Sequence, residues 1–589
     1  MTRAPEPFQT ARLLVSSRRL VTIFFLLAFS VVASPCAWSQ TQADAIPTET
    51  VTNDVIGSTY VPVDNWIYPA LDRLQALGYL NTAFLGLRPW TQASILAMLD
   101  ETTSQFEPKS LDSDKEALEI YLAVQKELRP SPNDDSSLLH PHIVPDSIYV
   151  RTLGIGGTPL RDSFHLGQTI AYDYGRPYQE GFNAVQGFSA RSEAGRFSLY
   201  FRGEYQHAPD APGYSANLAE TLSAIDLVPF ATNPVQATIP QGPIATQNDF
   251  RILEANLSYR IANHEISFGK SDHWLSPAQG GSFSGSNNAE NIYAFQIDRT
   301  EPLYIPYLSA LTGPFRYEFF VGSLKGHTDP NDPWIHVEKI SFKPTANLEF
   351  GFSRSAIWGG KGHTPITIHT FLKSFFSFQN VPLDEKLSRD DPGARFSCFD
   401  FSYRLPFLRD WLTLYSDSLV HDDVSPIDAP SRASWRPGLY LSHVPGIAKL
   451  DLRAEAVSTD PPITNSDGGG FMYWEVMQRQ GYTNNGQMFG DWIGREGKGG
   501  QGWIAYHLSA NEWIQVGLRN QKVAKDFVPG GTTLNDLNVQ VVKRIRKDLE
   551  INGNFTYERW KAPVYLPGQQ TVTATTIQLT WFPGRKVSF

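Results

Sequence analysis

Apolar and polar side chains alternate over residues 148–589, in runs separated by turns or longer polar loops. In the run FSLYFRGEYQ, Phe197 and Leu199 share one face, whereas Arg202 and Glu204 lie on the other. Successive side chains of a β-strand point to opposite sides, so each run predicts a strand with one apolar and one wet face. This repetition constrains the fold more than any other feature of the sequence.

The same alternation recurs in ILEANLSYRI, KLDLRAEAV and LEINGNFTYE, and the second face of each is polar and charged. A soluble β-sandwich and a transmembrane barrel can both contain such strands. The aromatic content of 13% favours the barrel, because aromatic side chains concentrate at both membrane interfaces. We predict a mainly β fold: a large antiparallel transmembrane β-barrel of roughly 16 to 18 strands, preceded by a small periplasmic α-helical bundle.

The chain starts with the features of a secretory signal peptide. Arg18 and Arg19 precede the apolar residues 20–33, and Ala37 and Ser39 are small residues suited to a cleavage site. The predicted segments are a signal peptide (1–39), a flexible N-terminus (40–59), a periplasmic helical bundle (60–129), a linker (130–147) and the outer-membrane barrel (148–589).

In the segment before the linker, the spacing of apolar residues is helical. Asp64 is a suitable cap for a first helix that Gly78 can end, and Thr91 is a suitable cap for a second. A third helix is predicted over residues 111–128. Its expected inward residues are Leu118, Tyr121, Leu122 and Leu128.

Composition excludes several classes of function. The net charge of -10 argues against a basic surface that would bind a nucleic acid. The two cysteines, Cys36 and Cys398, are too few for a disulfide framework or a thiolate metal site. Histidine and carboxylate residues show no catalytic motif, so we predict no enzyme, no metal and no cofactor.

Two segments resemble the Wzi family of capsule-assembly outer-membrane proteins. They are GKSDHWLSPAQGGSFSGSNNAENIYAFQIDR, residues 269–299, and GYTNNGQMFGDWIGREGKG, residues 481–499. Where the family often has a second aromatic residue and Gly-Pro, this chain reads Trp274-Leu275-Ser276-Pro277. The resemblance implies a monomeric barrel in the bacterial outer membrane that binds capsular or exopolysaccharide and helps to assemble or retain it at the cell surface.

Both segments carry the side chains that sugar binding needs, namely planar polar groups for hydroxyls and aromatic faces for pyranose rings. The alternatives are that these residues form turns, lie at membrane interfaces or pack inside the barrel as a plug. The candidate polysaccharide-binding residues are Asp272, His273, Trp274, Asn287, Asn288, Tyr482, Asn484, Asn485, Asp491, Trp492 and Arg495.

A second function remains open. The pattern WIYPALDRLQALGYL followed by LRPWTQ also resembles an S-layer-homology module, which binds cell-wall polymer. The alternative is therefore a general diffusion porin anchored to the cell wall. The expected partners are surface polysaccharide and outer-membrane lipids, with peptidoglycan or a polysaccharide export channel left open.

Overall fold

The computed structural model describes most of the chain beyond the predicted leader. The signal peptide, most of the flexible N-terminus and most of the linker lie outside the described residues. The described ranges are 57–106, 112–129, 142–230, 236–379, 381–408, 411–461, 472–584 and 587–588.

Eighteen long strands form one antiparallel barrel, which closes because the last strand pairs with the first. This confirms the predicted fold class. The strands are β1 (His142–Gly156), β2 (Gly181–Ala194), β3 (Phe197–Ala208), β4 (Gln247–Ile261), β5 (His264–Lys270), β6 (Tyr293–Arg299), β7 (Phe315–Ser323), β8 (Trp334–Thr345), β9 (Leu348–Trp358), β10 (Ala394–Arg404), β11 (Leu412–His421), β12 (Ser434–Leu441), β13 (Leu450–Ser458), β14 (Gly497–Ser509), β15 (Glu512–Val523), β16 (Thr532–Arg546), β17 (Leu549–Ala562) and β18 (Leu566–Trp581).

The strands place apolar side chains outside and polar side chains in the lumen, as the alternation predicts. In β5, Phe268 is 64% exposed on the outer face, whereas Glu265 and Ser267 are buried inside. The alternation in ILEANLSYRI predicts that Leu253 faces outward with Leu257, and this prediction is wrong. Leu253 of β4 is buried because the register between β3 and β4 shifts at this point, which marks a β-bulge. The outer surface is that of a barrel in a lipid bilayer.

The two ends of the barrel differ. At the turn end, two-residue turns join several strand pairs, and the N-terminal helices lie there. At the loop end, the connections that follow the odd-numbered strands are mostly longer, and we name them L1 to L9. In order, they are residues 157–180, 209–246, 271–292, 324–333, 359–393, 422–433, 459–496, 524–531 and 563–565.

In the described part of the chain, three α-helices precede the barrel: α1 (Ile67–Ala76), α2 (Gln92–Thr102) and α3 (Asp112–Leu128). Thr91 caps α2 as predicted, since its hydroxyl accepts the backbone N–H of Ser94. The prediction that Asp64 caps the first helix is wrong, because the Asp64 carboxylate binds Arg202 in the barrel wall. Asn65 accepts the backbone N–H of the first helical residue instead.

The buried face of α3 is rotated by one position from the predicted one. Leu118 and Leu122 are exposed by 38% and 51%, so their predicted inward orientation is wrong. Ala117, Ile120 and Val124 form the buried stripe with Tyr121 and Leu128, which were predicted correctly. Spacing alone fits either stripe, and the packing partner selects one.

Among the connecting residues that the structure describes, four short helices lie between strands, where the sequence showed no helical period. They are α4 (Ala216–Asp226), α5 (Ser309–Thr312), α6 (Ile368–Phe376) and α7 (Leu383–Lys386). Within the described ranges, none of the helices is both long and apolar enough to cross a membrane.

The lumen is filled from both ends. The N-terminal segment enters from the turn end, and L3 enters from the loop end. They meet where Arg88 and Trp274 exchange backbone hydrogen bonds of 3.1 and 2.8 Å. The backbone N–H of Val63 also donates to the Asp272 carboxylate at 2.8 Å. Two folded segments therefore form one plug.

Candidate functional site

L3 and L7 fold into the lumen and bind each other, so the two segments singled out by sequence lie together. The backbone N–H of Ser286 donates to the carbonyl of Phe489 at 3.1 Å. The hydroxyl of Tyr482 donates to the carbonyl of Ser284 at 2.6 Å. Irregular backbone can be buried only when its polar groups are satisfied, and these bonds meet that need.

The first three candidates in L3 are buried among partners. Asp272 accepts hydrogen bonds from the N-terminal segment, and burial, together with the nearby Asp64 carboxylate, raises its pKa above the ordinary value. His273 lies 2.9 Å from the carboxylate of Glu318. The indole N–H of Trp274 donates to the carbonyl of Ala278 at 2.9 Å.

The two L3 asparagines bind the neighbouring loops. The side chain of Asn288 accepts the backbone N–H of Tyr172 in L1 at 3.0 Å and donates to the carbonyl of Met488 in L7 at 3.3 Å. The backbone carbonyl of Asn287 accepts the N–H of Tyr174 at 2.8 Å. Asn288 therefore links L3 to both L1 and L7.

In L7, Asn484 and Asn485 differ in exposure. Asn484 is buried, and its side-chain oxygen accepts the backbone N–H of Lys325 in L4 at 2.8 Å. Asn485 is exposed, with its amide 2.9 Å from the carboxylate of Glu290. Asn485 is the one candidate of the eleven that is not buried.

Asp491 takes part in a buried charge cluster. Its carboxylate forms two hydrogen bonds of 2.7 Å with the guanidinium of Arg436, which also contacts Glu455 at 2.8 Å. All three side chains are fully buried. Gly281 passes over this cluster, and a Cβ there would lie 2.2 Å from the Asp491 carboxylate. The absence of a side chain allows L3 to approach so closely.

Arg495 belongs to a second buried network, between L1, α4 and L7. Its guanidinium donates to Asp226 at 2.6 Å, and His165 lies 2.9 Å from the same carboxylate and 3.0 Å from Asp162. Burial alone would lower the pKa of His165, but the two carboxylates outweigh it and raise the pKa to about 9. His165 is therefore a cation near neutral pH.

Trp492 completes the set and is fully buried. Its indole N–H donates to the carbonyl of Gly280 at 2.9 Å, and the guanidinium of Arg519 lies 4.8 Å from its ring. Stacking on a pyranose needs a free ring face, which neither Trp492 nor Trp274, 8% exposed, offers in this arrangement. The buried candidates build the plug.

A cavity of about 210 Å³ lies beside this plug, against the wall of β14 to β18 and β1. L1 covers it at the loop end through Thr169 and Tyr172. Further toward the turn end, Gln515, Gln540 and Asn552 on the lumen face are only half-buried. The plug therefore does not fully cover the lumen face on this side.

The cavity wall is a ladder of polar side chains. The amide of Asn538 donates to the side chains of Asn554 and Thr556 at 2.6 and 2.9 Å. Arg151 donates to Asp173 of L1 at 2.9 Å. Amides, carboxylates and guanidinium groups in one wall can donate to and accept from several hydroxyls at once.

Aromatic rings complete the lining. Tyr172 and Tyr178 of L1 border the cavity from one side, and Trp503 of β14 borders it from the wall. Trp503 is half-buried, unlike the two tryptophans of the plug. Planar polar groups and a partly free indole ring are the combination expected of a sugar site.

Sequence reasoning missed this wall, although a signal was present. The run LEINGNFTYE puts Asn552 and Asn554 on its polar face, and NDLNVQ repeats the pattern at Asn538 and Gln540. Strands of many lumens are polar, so the pattern alone does not select these residues. Their neighbourhood follows only from the closed barrel and the position of L1.

Comparison with known proteins identifies relatives. A family model described as "Capsule assembly protein Wzi" matches residues 151–575. An "Uncharacterized 55.8 kDa protein in cps region" of Klebsiella pneumoniae is 24% identical over 260 residues, which are 42% of this chain and 50% of that protein. The chain thus spans about half the length of this curated relative.

The fold also has a solved counterpart. Wzi of Escherichia coli is described as an outer membrane protein involved in group 1 capsule assembly and as a carbohydrate-binding β-barrel. The two chains are 17% identical, with a TM-score of 0.63. The superposition covers 88% of this chain and 99% of the other, which shows a shared barrel fold.

Proposed function

This chain belongs to the capsule assembly protein Wzi family, and on that premise we propose that it is a non-enzymatic outer-membrane barrel that binds capsular or exopolysaccharide. Its role is to help assemble or retain that polymer at the cell surface. Outer-membrane barrels have short periplasmic turns and longer extracellular loops. The N-terminal helices then lie in the periplasm, and L1 to L9 face outward.

The observation that carries the proposal is the cavity beneath L1. Arg151, Asp536 and Asn538 offer charged and amide groups to sugar hydroxyls, and Trp503 offers a ring. A volume of about 210 Å³ suits a single sugar unit better than a polymer in transit. The site would hold one residue or one end of a chain.

The buried candidates act indirectly in this proposal. Asp272, Trp274, Asp491 and Trp492 hold L3 and L7 in the lumen and so fix the wall against which L1 rests. Asn485, which is exposed, is the candidate placed to touch polymer outside the lumen. Their contribution to binding is therefore mainly the shape of the loop end.

Partners follow from the orientation. Outer-membrane lipid surrounds the barrel, and the periplasmic helices are placed to meet peptidoglycan or an export channel. A family whose described role is capsule assembly gives the export channel the better support of the two. The protein is proposed to act as a monomer, as its resemblance to the family implies, and the closed barrel leaves no strand edge for pairing with a second copy.

The experiment is polymer retention by cells that lack the gene. Loss of the protein is expected to release polysaccharide into the medium while total synthesis stays constant, because binding rather than synthesis is lost. Released and cell-associated polymer are measured separately. Unchanged retention would contradict the proposal.

Complementation tests the cavity itself. The Trp503→Ala variant is expected to restore retention poorly, whereas Trp581→Ala restores it fully, because Trp581 is exposed on the outer face of β18. Both variants must give equal amounts of folded barrel, which is measured by its heat-dependent gel mobility. Equal retention by both would remove the cavity from the proposal without removing the function.

A further inference from the structure

The outer wall of β8 to β10 carries polar side chains where lipid-facing residues are expected. Glu338, Arg354 and Ser397 occupy one register row across these three strands. Lys339, the neighbour of Glu338 in β8, points into the lumen, where it donates to the carbonyl of Leu275. Because neighbouring residues of a strand point to opposite sides, the row faces outward.

This row lies at the depth of the apolar band. Glu338 pairs with Phe319 of β7, and Phe319 pairs with Ile297 of β6. Tyr293 of β6 lies four residues from Ile297 toward the loop end, and it is still 46% exposed on the outer face. Charged side chains exposed to lipid at that depth would be costly.

L5 covers the row with α6. The imidazole of His336, which also faces outward, lies 2.9 Å from the hydroxyl of Ser374 in α6. The rings of Phe371 and Phe375 pack on Phe319 with centroid distances of 6.2 and 6.5 Å. L5 therefore folds down over the outside of the barrel, not only above its mouth.

The wall also holds the end of this helix. Arg354 donates to the carbonyl of Ser377, and Arg395 donates to the Ser377 hydroxyl at 2.9 Å and to the carbonyl of Gln379 at 2.7 Å. Cationic donors at a helix C-terminus satisfy its open carbonyls and its partial negative charge. The polar wall and α6 are thus matched to each other.

The other face of α6 is apolar as well. Ile368, Leu372 and Phe376 recur every four residues and are exposed by 80%, 40% and 43%. Lys373 is turned aside to Glu385, 2.9 Å away. His369 is the polar exception, in the first turn. A helix with apolar residues on both faces needs an apolar neighbour on its outer side.

We propose that α6 is a membrane-facing helix whose outer stripe contacts the acyl chains of the outer lipid leaflet. The stripe continues the apolar band of β5 to β7 across the polar patch of β8 to β10. Lipid is the occupant because the neighbouring band of β5 and β6, with Phe268 64% and Tyr293 46% exposed on the outer face, already meets lipid. L5 thereby completes the bilayer surface of the barrel.

Spin labels measure this contact. The labels are attached to Leu372→Cys in α6, to Leu518→Cys on the lipid face of β15 and to Asp384→Cys, an exposed site in the same loop. All three are made with Cys36 and Cys398 replaced by Ser. The purified protein is reconstituted in phosphatidylcholine vesicles, and relaxation by oxygen is compared with relaxation by a water-soluble nickel chelate.

The label at Leu372 is expected to match Leu518, with ready access for oxygen and little for the chelate. Access for the chelate equal to that at Asp384 would place α6 in water and overturn the proposal. Shielding from both reagents would show a protein neighbour and would overturn it too. An Ile368→Cys label repeats the test if the Leu372 variant fails to give folded barrel.

Discussion

At the residue scale, one buried charge cluster holds L7 in the lumen. Arg436 lies between Asp491 and Glu455, and none of the three side chains is accessible to solvent. Removing one partner of a buried ion pair is strongly destabilising because it leaves an uncompensated charge. Arg436 therefore fixes L7 against β12 and β13.

Replacement of Arg436 by Met is expected to free L7 from the lumen, at a cost of roughly 3–5 kcal/mol. The substitution leaves the hydrogen bonds between the barrel strands unchanged, so the folded barrel should keep its heat-dependent gel mobility. Limited proteolysis should then cut within residues 472–496. Lys543→Met is the matched control, since Lys543 is 54% exposed in its ion pair with Glu512. Equal protease resistance of the two variants would show that the cluster does not hold L7.

At the element scale, L1, α4 and L7 are joined by the network of His165, Asp226 and Arg495. The pKa of His165 is raised to about 9, against an ordinary value of 6.5. The charged form of His165 therefore stabilises this network fully below the ordinary pKa of 6.5. The stabilisation is lost as pH rises through the raised pKa of about 9. Alkaline pH should loosen L1 first.

Hydrogen exchange measures that loosening. Between pH 7 and pH 10, peptides covering residues 160–170 are expected to lose protection, after correction for the intrinsic exchange rate, while β15 peptides keep theirs. In a His165→Gln variant the pH dependence should vanish, because the neutral amide has no proton to lose. Unchanged protection of L1 at pH 10 would show that the network of His165, Asp226 and Arg495 does not depend on the charged form of His165.

The elements also show how far sequence reasoning reaches. Thr91 was recognised as a cap because capping is a local matter of one hydroxyl and one N–H. The face of α3 was missed, since Leu118 and Ala117 both fit a helical stripe and only the neighbouring helix decides between them. L5 covers β8 to β10 through contacts between residues that are far apart in the sequence, and no pattern in residues 359–393 predicts these contacts.

At the scale of the whole molecule, the plug enters the lumen from both ends of the barrel. The N-terminal segment and L3 meet inside the lumen, and L7 binds L3 across several hydrogen bonds. A general diffusion porin would need a continuous aqueous path. The filled lumen favours a binding role over the porin alternative.

Planar bilayers test this closure. The intact protein is expected to show little stable conductance. A variant lacking residues 57–129 is expected to conduct more, because it loses the half of the plug that enters from the turn end. Steady conductance by the intact protein, equal to that of the shortened variant, would favour the porin.

The barrel was predictable because lipid and lumen impose a period of two on every strand, and Phe197, Leu199, Arg202 and Glu204 already show it. The candidate site was predictable only in part. Trp274 and Trp492 were chosen from two segments that meet in the lumen, but their burial depends on which loops enter the lumen. Trp503 and Asn538 are candidates for sugar binding only because they line the cavity that those loops leave.

The central claim is polysaccharide binding, and direct binding of purified protein to polymer from the same cells tests it. In detergent or lipid discs, the intact barrel should bind at saturable levels. Trp503→Ala should bind about tenfold more weakly, since truncating an aromatic anchor of a site costs about 1.4 kcal/mol. Trp581→Ala should bind like the intact barrel. No saturable binding by the intact barrel would contradict the claim.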